Sequence, residues 1–404
     1  MTTAPKVRFL DRTTPPHIAT LTLMAGTSAM TMSIFLPSLT RMSAYFGADY
    51  GVMQLAVSGY LAATALLQII IGPISDRFGR RPVILGALSI FVLATIGTIY
   101  STNVETFLAF RMLQAVIASG MVLSRAIVRD MVPGDQAASM IGYVTMGMAI
   151  IPMAGPVIGG MLDQAFGWEA NFIFLLVAGL LVLALCWLDL GETAKGTGIS
   201  FGQQLRVYPE LLSSQRFWGY SLCAAFGSGA FFALLGAASY VSGTIYGLSP
   251  RWTGLAIGSP AAGYVLGNYL SGRYSVRYGI NKMALAGSIV ASAGLGLSLI
   301  ISLMGYNSAL LFFGFCPLLG LGNGLQLPSA MAGSLSVRPQ LAGTASGLSG
   351  AIMIGGGAAL SAMSGALLAG RETAQVLQVI MFLSAVMGIV SILWVMRREK
   401  QLNG

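Results

Sequence analysis

The amino-acid sequence predicts an all-α membrane protein with twelve transmembrane helices arranged in two six-helix bundles. Two observations lead to this fold class: the composition, and the alternation of long apolar segments with short charged ones. Of the 404 residues, 55% are hydrophobic and only 9% are charged, against roughly 25% charged residues in soluble domains. A soluble chain of this composition could not cover its core with a solvated surface, so we expect lipid to be its solvent.

Twelve apolar segments are long enough to cross a bilayer, since about 20 apolar residues span the hydrocarbon as a helix. The predicted spans are 17–40, 51–72, 82–100, 105–128, 138–161, 169–190, 217–243, 251–272, 282–304, 306–332, 341–368 and 373–396.

The longest polar stretch divides these spans into two groups of six. We therefore predict five regions of the chain. They are an N-terminal segment 1–16, a first bundle 17–190, a linker 191–216, a second bundle 217–396 and a C-terminal segment 397–404.

Basic residues are concentrated in every second loop. Of the 22 lysines and arginines, only Arg41, Arg251 and Arg371 fall in the other loops, and Arg111 lies within a span. Because loops rich in Lys and Arg remain in the cytoplasm, we predict a protein of the cell inner membrane with both termini cytoplasmic. The net charge of +9 thus reflects topology and does not indicate a nucleic-acid partner.

The segment between the second and third spans reads Gly-Pro-Ile-Ser-Asp-Arg-Phe-Gly-Arg-Arg-Pro, from Gly72 to Pro82. Its glycines are expected to permit a tight turn with positive φ. Asp76 is not needed for topology, and we expect it to cap a helix or pair with arginine in a contact that is made in one conformation and broken in another. The predicted gating residues are Gly72, Asp76, Arg77, Gly79, Arg80, Arg81 and Arg129.

A short internal repeat supports two related halves. Gly72-x-x-x-x-Arg77-Phe-Gly79 follows the second span, and Gly272-x-x-x-x-Arg277-Tyr-Gly279 follows the eighth. Parallel halves related by an axis along the membrane normal are one known plan for transporters.

The fourth span carries Arg111 and Gln114, with Arg125 and Arg129 further along. At 100° per residue the three arginines share one stripe of a continuous helix. A charge within the membrane marks a functional position by default. Snorkelling of Arg111 to the interface, and simple anchoring by Arg125 and Arg129, remain as alternatives.

The fifth span contains Pro152, Gly155, Pro156, Gly159 and Gly160. Small residues four apart let another helix approach closely, and each proline removes a helix hydrogen bond. We predict a kinked, close-packed helix at the interface between the halves, with ordinary helix packing as the alternative.

These motifs resemble those of the major facilitator superfamily, whose signature loop is matched by Gly72 to Pro82 and whose antiporters end this helix in Gly-Pro-x-x-Gly-Gly. With Leu36-Pro37 in the first span, the chain is similar to the Bcr/CflA drug exporters, named for bicyclomycin and chloramphenicol resistance. The resemblance implies the major facilitator fold, a cytoplasmic gate at the signature loop, and export of small amphipathic drugs by proton antiport.

One position departs from that family. Ser33 stands where the exporters often have an acidic residue, and Asp130, Asp163 and Asp189 all lie near helix ends. A proton antiporter needs a group whose pKa changes with exposure, and the sequence does not identify one. The residues predicted to face or gate the transport cavity are Arg111, Gln114 and Ser33.

Two alternatives concern the cargo and the class of protein. The cargo could be an anionic metabolite or siderophore driven by the membrane potential, because the positive residues of the fourth span lack balancing buried acids. An enzyme needs a nucleophile with a base or a metal cluster, and one histidine with three scattered cysteines argues against it. We expect no cofactor and no bound metal, a lipid bilayer and a small amphipathic substrate as partners, and a monomer.

Overall fold

The computed structural model describes residues 7–131, 151, 154–194, 208–338, 341–368 and 370–403, without the side chains of Arg129, Ala342, Gly343 and Asn403. Within these ranges the chain forms helices and turns and contains no β-strand. The predicted all-α membrane fold is confirmed.

The described residues contain ten helical segments that are long and apolar enough to cross a membrane. They coincide with ten of the twelve predicted spans. The predicted fifth span, 138–161, lies mostly outside the described residues, although 154–166 are helical. The predicted eighth span is helical from Pro250 to Tyr278 except at Ser259.

The first half, residues 7–194, is built from short and long helices that follow the predicted spans. They are α1 (Ile18–Thr31), α2 (Leu39–Phe46), α3 (Tyr50–Met53), α4 (Leu55–Phe78), α5 (Arg80–Ile99), α6 (Val104–Leu113), α7 (Ser119–Met131), α8 (154–166) and α9 (Glu169–Asp189). Two 3₁₀ segments, Leu36–Ser38 and Gln114–Ala118, interrupt the first and fourth spans.

The second half, residues 208–403, is helical over nearly all its described length. Its helices are α10 (208–212), α11 (Gln215–Tyr240), α12 (Pro250–Gly258), α13 (Pro260–Tyr278), α14 (Ile280–Leu303), α15 (Ala309–Phe313), α16 (Cys316–Ser336), α17 (Ala342–Leu368) and α18 (Gln375–Asn403). A π-helical turn, Val241–Ile245, extends α11.

Helices α4 and α17 form the seam between the two halves and run antiparallel. Gln54 contacts Ser361 at one end of α4, and Gln68 contacts Gly350 further along it. The seam therefore places the C-terminal end of α4 and the N-terminal end of α17 on the same side of the bundle. We call this side the basic face, and the side near residues 46–50 and 245–250 the opposite face.

The internal repeat extends to the backbone of the two turns on the basic face. Gly79 joins α4 to α5 with φ 96° and ψ 150°, and Gly279 joins α13 to α14 with φ 82° and ψ 153°. A guanidinium lies over the following ring in both turns, Arg77 over Phe78 at 5.3 Å and Arg277 over Tyr278 at 5.4 Å. The short sequence match thus corresponds to two copies of one turn.

Candidate functional site

The signature segment forms less of a loop than the sequence suggested. Gly72, Asp76 and Arg77 lie inside α4, and only Gly79 has a positive φ. The expected turn conformation at Gly72 is therefore wrong, because the hydrogen bonds of α4 continue to Phe78 in spite of Pro73. A methyl group at Gly72 would meet no atom within 4 Å.

Arg80 is the centre of a charged network at the start of α5. Its guanidinium pairs with Asp76 at 2.5 Å and with Asp130 at 3.1 Å, and it donates to the Ser75 hydroxyl at 2.5 Å. The Arg80 side chain is only 9% exposed. Charge-assisted hydrogen bonds of this kind are stronger than neutral ones, so the network joins three spans of the first half.

Glu192, which sequence reasoning missed, caps α5. Its carboxylate accepts hydrogen bonds from the backbone amides of Arg80 at 2.9 Å and Arg81 at 3.2 Å, where the helix dipole favours negative charge. A methyl group at Gly79 would overlap this carboxylate. The role predicted for Asp76 as a helix cap is therefore filled by a residue more than 100 positions away in sequence.

Arg81 extends the contact to the end of α9. Its side chain donates to the carbonyl oxygens of Leu190 at 2.8 Å and Trp187 at 3.1 Å, and its guanidinium lies 5.2 Å from the Trp187 ring centroid. Arg129 lies in α7, and its side chain is outside the described part of the chain.

Arg111 is fully buried in the first half, at 0% exposure. It donates to the backbone oxygens of Thr31 at 2.7 Å and Ala56 at 3.1 Å, and to Gln114 at 2.8 Å. The Phe35 and Tyr60 rings flank the guanidinium, with centroids 4.4 and 4.0 Å away. Arg111 therefore does not snorkel to the interface. It donates to the Thr31 carbonyl at the end of α1, where the hydrogen bonds of the α-helix end.

Gln114 continues this polar chain by donating to the Thr95 hydroxyl at 2.8 Å. From Gln114 to Ala118 the fourth span is a 3₁₀ helix, which turns about 120° per residue instead of about 100°. The predicted single stripe is therefore wrong for Arg125, because the five 3₁₀ residues rotate it by roughly 100° relative to Arg111.

Ser33 lies in the break between α1 and the first 3₁₀ segment. Its hydroxyl is buried and has no hydrogen-bond partner among the described residues. A methyl group at Gly155 would lie 2.6 Å from this hydroxyl, so α8 passes close to the break.

The glycines of α8 serve two different contacts. Gly159 lies against the Ile34 carbonyl of the first span, and Gly160 lies against the Pro250 carbonyl at the start of α12. Gly254 of α12 in turn lies against the Pro156 carbonyl. The contact between the halves thus uses Pro156 and Gly160, while the Gly155–Gly159 face packs within the first half. Pro152 lies outside the described residues.

Direct polar contacts join the halves on the opposite face. The hydroxyls of Thr40 and Ser239 lie 3.1 Å apart. Tyr50 donates to the Gly236 carbonyl at 3.0 Å, and Gln54 donates to the Ser361 carbonyl at 2.8 Å. The two halves are therefore closed against each other on this face.

Two aspartates of the first half are buried at 0% exposure and differ in their partners. Asp189 accepts from the Leu10 amide, the His17 amide and the Thr20 hydroxyl, at 2.6 to 2.9 Å, and so fixes the N-terminal segment to α9. Asp163 pairs with Arg41 at 2.7 Å through Oδ1. Its buried Oδ2 has no hydrogen-bond partner within the described ranges.

A bundle of apolar helices in two repeated halves, closed together on one face by close helix contacts, is the architecture of a membrane transport protein. The chain belongs to the Major Facilitator Superfamily, whose family model matches residues 21–362. Its members are transporters.

Relatives and a solved structure agree with this assignment. The chain is 30% identical over 356 residues to multidrug resistance protein D of Escherichia coli strain K12, covering 85% of this chain and 87% of the relative. It is 30% identical over 321 residues to a chloramphenicol resistance protein of Pseudomonas aeruginosa, covering 78% and 76%. A partially occluded, inward-open structure of the E. coli xylose transporter matches with a TM-score of 0.74 at 12% identity, over 94% and 96% of the chains.

Proposed function

We propose that this chain exports small amphipathic compounds, including chloramphenicol-like and bicyclomycin-like drugs, by alternating access coupled to proton antiport. The observation that carries the proposal is the reciprocal contact of Gly160 with Pro250 and of Gly254 with Pro156 across the two halves. The names of the drug-resistance relatives supply the class of cargo. At these two positions the helices meet through glycines, which lets their backbones approach closely with no side chain between them.

The basic face is cytoplasmic in this proposal, in the inner membrane, with both termini inside and the chain acting as a monomer. Its support is the positive-inside rule. The opposite face, closed in this structure, is then the outer gate. The network of Arg80 with Asp76 and Asp130 is the inner latch, held here within one half.

Arg111 and Gln114 define the wall of the transport cavity in the first half. Arg111 donates to the Thr31 carbonyl at the end of α1 and is itself held by Gln114. The Thr31 carbonyl is thereby satisfied outside the helix, and α1 ends there. The unpartnered hydroxyl of Ser33 lies in the segment that follows α1 and is buried beside α8 in this structure. Once α8 moves away, it offers a polar contact to a cargo that is otherwise bound by apolar side chains.

Asp163 is the proton-carrying candidate in this scheme. Burial disfavours the charge of this carboxylate and the ion pair with Arg41 favours it, so a change in either one shifts its protonation. Asp163 follows Gly160 by less than one helical turn, and the neighbouring segment Leu36–Ser38 packs against α12 of the other half. When the outer gate opens, α12 moves away from Leu36–Ser38, and Asp163 becomes less buried.

The second candidate function is export of an anionic metabolite or siderophore driven by the membrane potential. The observation that favours it is Arg111, whose partners among the described residues are carbonyls, an amide and two rings. A buried guanidinium without a carboxylate partner retains its charge for an anionic cargo.

Expression in a pump-deficient bacterial host tests the proposed function. The wild-type chain should raise resistance to chloramphenicol or bicyclomycin, and Asp76→Asn and Arg111→Ala should each abolish this effect at unchanged protein level. Full resistance in both variants would contradict the roles of latch and cavity wall. No resistance from the wild type to any drug tested, with potential-driven uptake of an anion into inverted vesicles, would favour the second candidate.

A further inference from the structure

A cavity of about 350 Å³ opens on the basic face of the second half. Three helix ends form it: the start of α11, the end of α16 and the end of α18. Three arginines line it, Arg216, Arg338 and Arg398, one from each of these ends. The cavity lies away from the seam between the halves, and the proposed export route does not use it.

The charges around the cavity are not balanced. Arg216 pairs with Glu399 at 2.7 Å, and Arg338 pairs with Glu210 at 2.9 Å. Arg398 donates to the neutral amide of Gln401 at 3.2 Å and makes no ion pair with a described carboxylate. Three guanidinium groups face two carboxylates, which leaves one positive charge for an anion.

Glu399 is itself committed to other donors. It accepts from the Tyr220 hydroxyl at 3.1 Å and from the Asn281 amide at 2.5 Å, besides Arg216. It therefore cannot move to neutralise Arg398 without leaving buried donors unpaired, which is costly.

Hydrogen-bond donors remain available at the cavity. The Nε of Arg216 is buried and has no partner among the described residues. The first turn of α11 begins here, with Ser214 as its N-cap, and the leading amides of a helix have no partner within the helix. Arginine side chains together with a helix N-terminus are the donor set that binds phosphate oxygens.

Exposed apolar side chains lie near the cavity. Leu402, on its wall, is 57% exposed, and Leu212 and Trp394 beside it are 38% and 39% exposed. Trp218 donates its indole N–H to the Leu212 carbonyl at 2.8 Å. Tryptophan is enriched at the interface between hydrocarbon and headgroups, so we expect an acyl chain to lie along Trp218 and Trp394.

We propose that this cavity binds the phosphate group of an anionic phospholipid from the leaflet at the basic face. The phosphate oxygens accept from the guanidinium groups of Arg398, Arg338 and Arg216, and the acyl chains lie against Trp218 and Trp394. The bound lipid ties the ends of α11, α16 and α18 together. Basic pockets between membrane helices on the cytoplasmic side are suited to such headgroups.

Native mass spectrometry of the delipidated full chain, incubated with phosphatidylglycerol or phosphatidylcholine, tests the proposal. We expect the wild type to retain phosphatidylglycerol in preference to phosphatidylcholine. Arg398→Gln should lower phosphatidylglycerol retention about fivefold, the effect of one basic residue at an anionic headgroup. The matched control is Arg397→Gln, which removes the same charge from the adjacent exposed residue outside the cavity and should retain the lipid.

A second variant and a second readout make the test independent of folding defects. Arg338→Gln should also lose retention, and phosphatidylglycerol should raise the melting temperature of the wild type and Arg397→Gln but not of Arg398→Gln. Equal losses in Arg397→Gln and Arg398→Gln, or equal retention of both lipids by the wild type, would overturn the site. Stabilisation and lipid displacement by millimolar inorganic phosphate would assign the cavity to free phosphate and overturn the lipid.

Discussion

At the scale of single residues, Arg111 illustrates how the first half holds a charge within the membrane. Three acceptors and two rings surround the guanidinium, and two of the acceptors are backbone carbonyls on different helices. The sequence indicates that Arg111 is functional, since a charge in a span is costly. It does not reveal the partners, because Thr31 and Ala56 contribute only backbone atoms, which any residue type would supply.

Gly79 and Gly72 look equivalent in the sequence and differ in the structure. We predict that Gly79→Ala lowers the stability of the protein by about 1–3 kcal/mol, because φ 96° with ψ 150° is a conformation that only glycine adopts readily. Gly72→Ala is the matched control. It lies inside α4 with open space around it, so alanine should be neutral or stabilising by up to about 1 kcal/mol.

Thermal unfolding of the two glycine variants in detergent provides the measurement. A large loss of stability in Gly72→Ala with none in Gly79→Ala would contradict the described turn. The same pair of substitutions at Gly272 and Gly279 should repeat the pattern, because Gly279 has a φ of 82° and Gly272 lies within α13 with no neighbour in reach.

Asp163 gives the residue-scale prediction for coupling. Asp163→Asn should retain insertion and drug binding, since asparagine can still accept from Arg41, but should lose export driven by a pH gradient. Transport in proteoliposomes under separately imposed pH, sodium and voltage gradients measures this. Unchanged pH-driven export in the variant would show that another group carries the proton.

At the scale of helices, the sequence does not predict the 3₁₀ breaks in the first and fourth spans. The twelve apolar segments were found from composition, because hydropathy depends only on residue type. The 3₁₀ register of Gln114–Ala118 depends on packing against α1, α4 and α5, which no local pattern encodes. Glu192 was missed for the same reason, since its partners Arg80 and Arg81 are distant in sequence.

The contact of α8 with α12 on the opposite face supplies the prediction at this scale. Gly254→Ala places a methyl group on the Pro156 carbonyl, and overpacking of this kind costs about 1–3 kcal/mol. We expect the variant to leave the opposite face open more often and to lower drug resistance strongly. Gly51→Ala is the control, on the same face with no atom within 4 Å of the added methyl.

Accessibility of an engineered cysteine at Thr40 to a membrane-impermeant maleimide reports the opening. Labelling should increase in the Gly254→Ala background and stay at the wild-type level with Gly51→Ala. Equal labelling in both backgrounds would mean that the contact with Pro156 does not keep this face closed.

At the scale of the whole molecule, the two halves are copies of one plan with different sequences. Each has a glycine turn on the basic face and a glutamate near the end of its last span, Glu192 in the first half and Glu399 in the second. Glu192 caps α5 through the backbone, whereas Glu399 accepts from the side chain of Asn281 at the start of α14. The short repeat in the sequence predicts the two turns. The glutamates lie outside the repeat, and only the structure shows that they occupy corresponding positions in the two halves.

The proposed export mechanism requires the two halves to separate on the opposite face. Thr40 of the first half and Ser239 of the second have hydroxyls 3.1 Å apart on the opposite face, so Thr40→Cys with Ser239→Cys should form a disulfide on oxidation. The matched control pair is Ser221→Cys with Ser349→Cys, whose hydroxyls lie 3.2 Å apart within the second half.

The most direct measurement is drug efflux from cells or proteoliposomes before oxidation, after oxidation and after reduction. Oxidation of the cysteine pair at positions 40 and 239 should stop efflux, and reduction should restore it. The control pair should export drug in both states. Full efflux by protein shown to be cross-linked between positions 40 and 239 would contradict alternating access through this face.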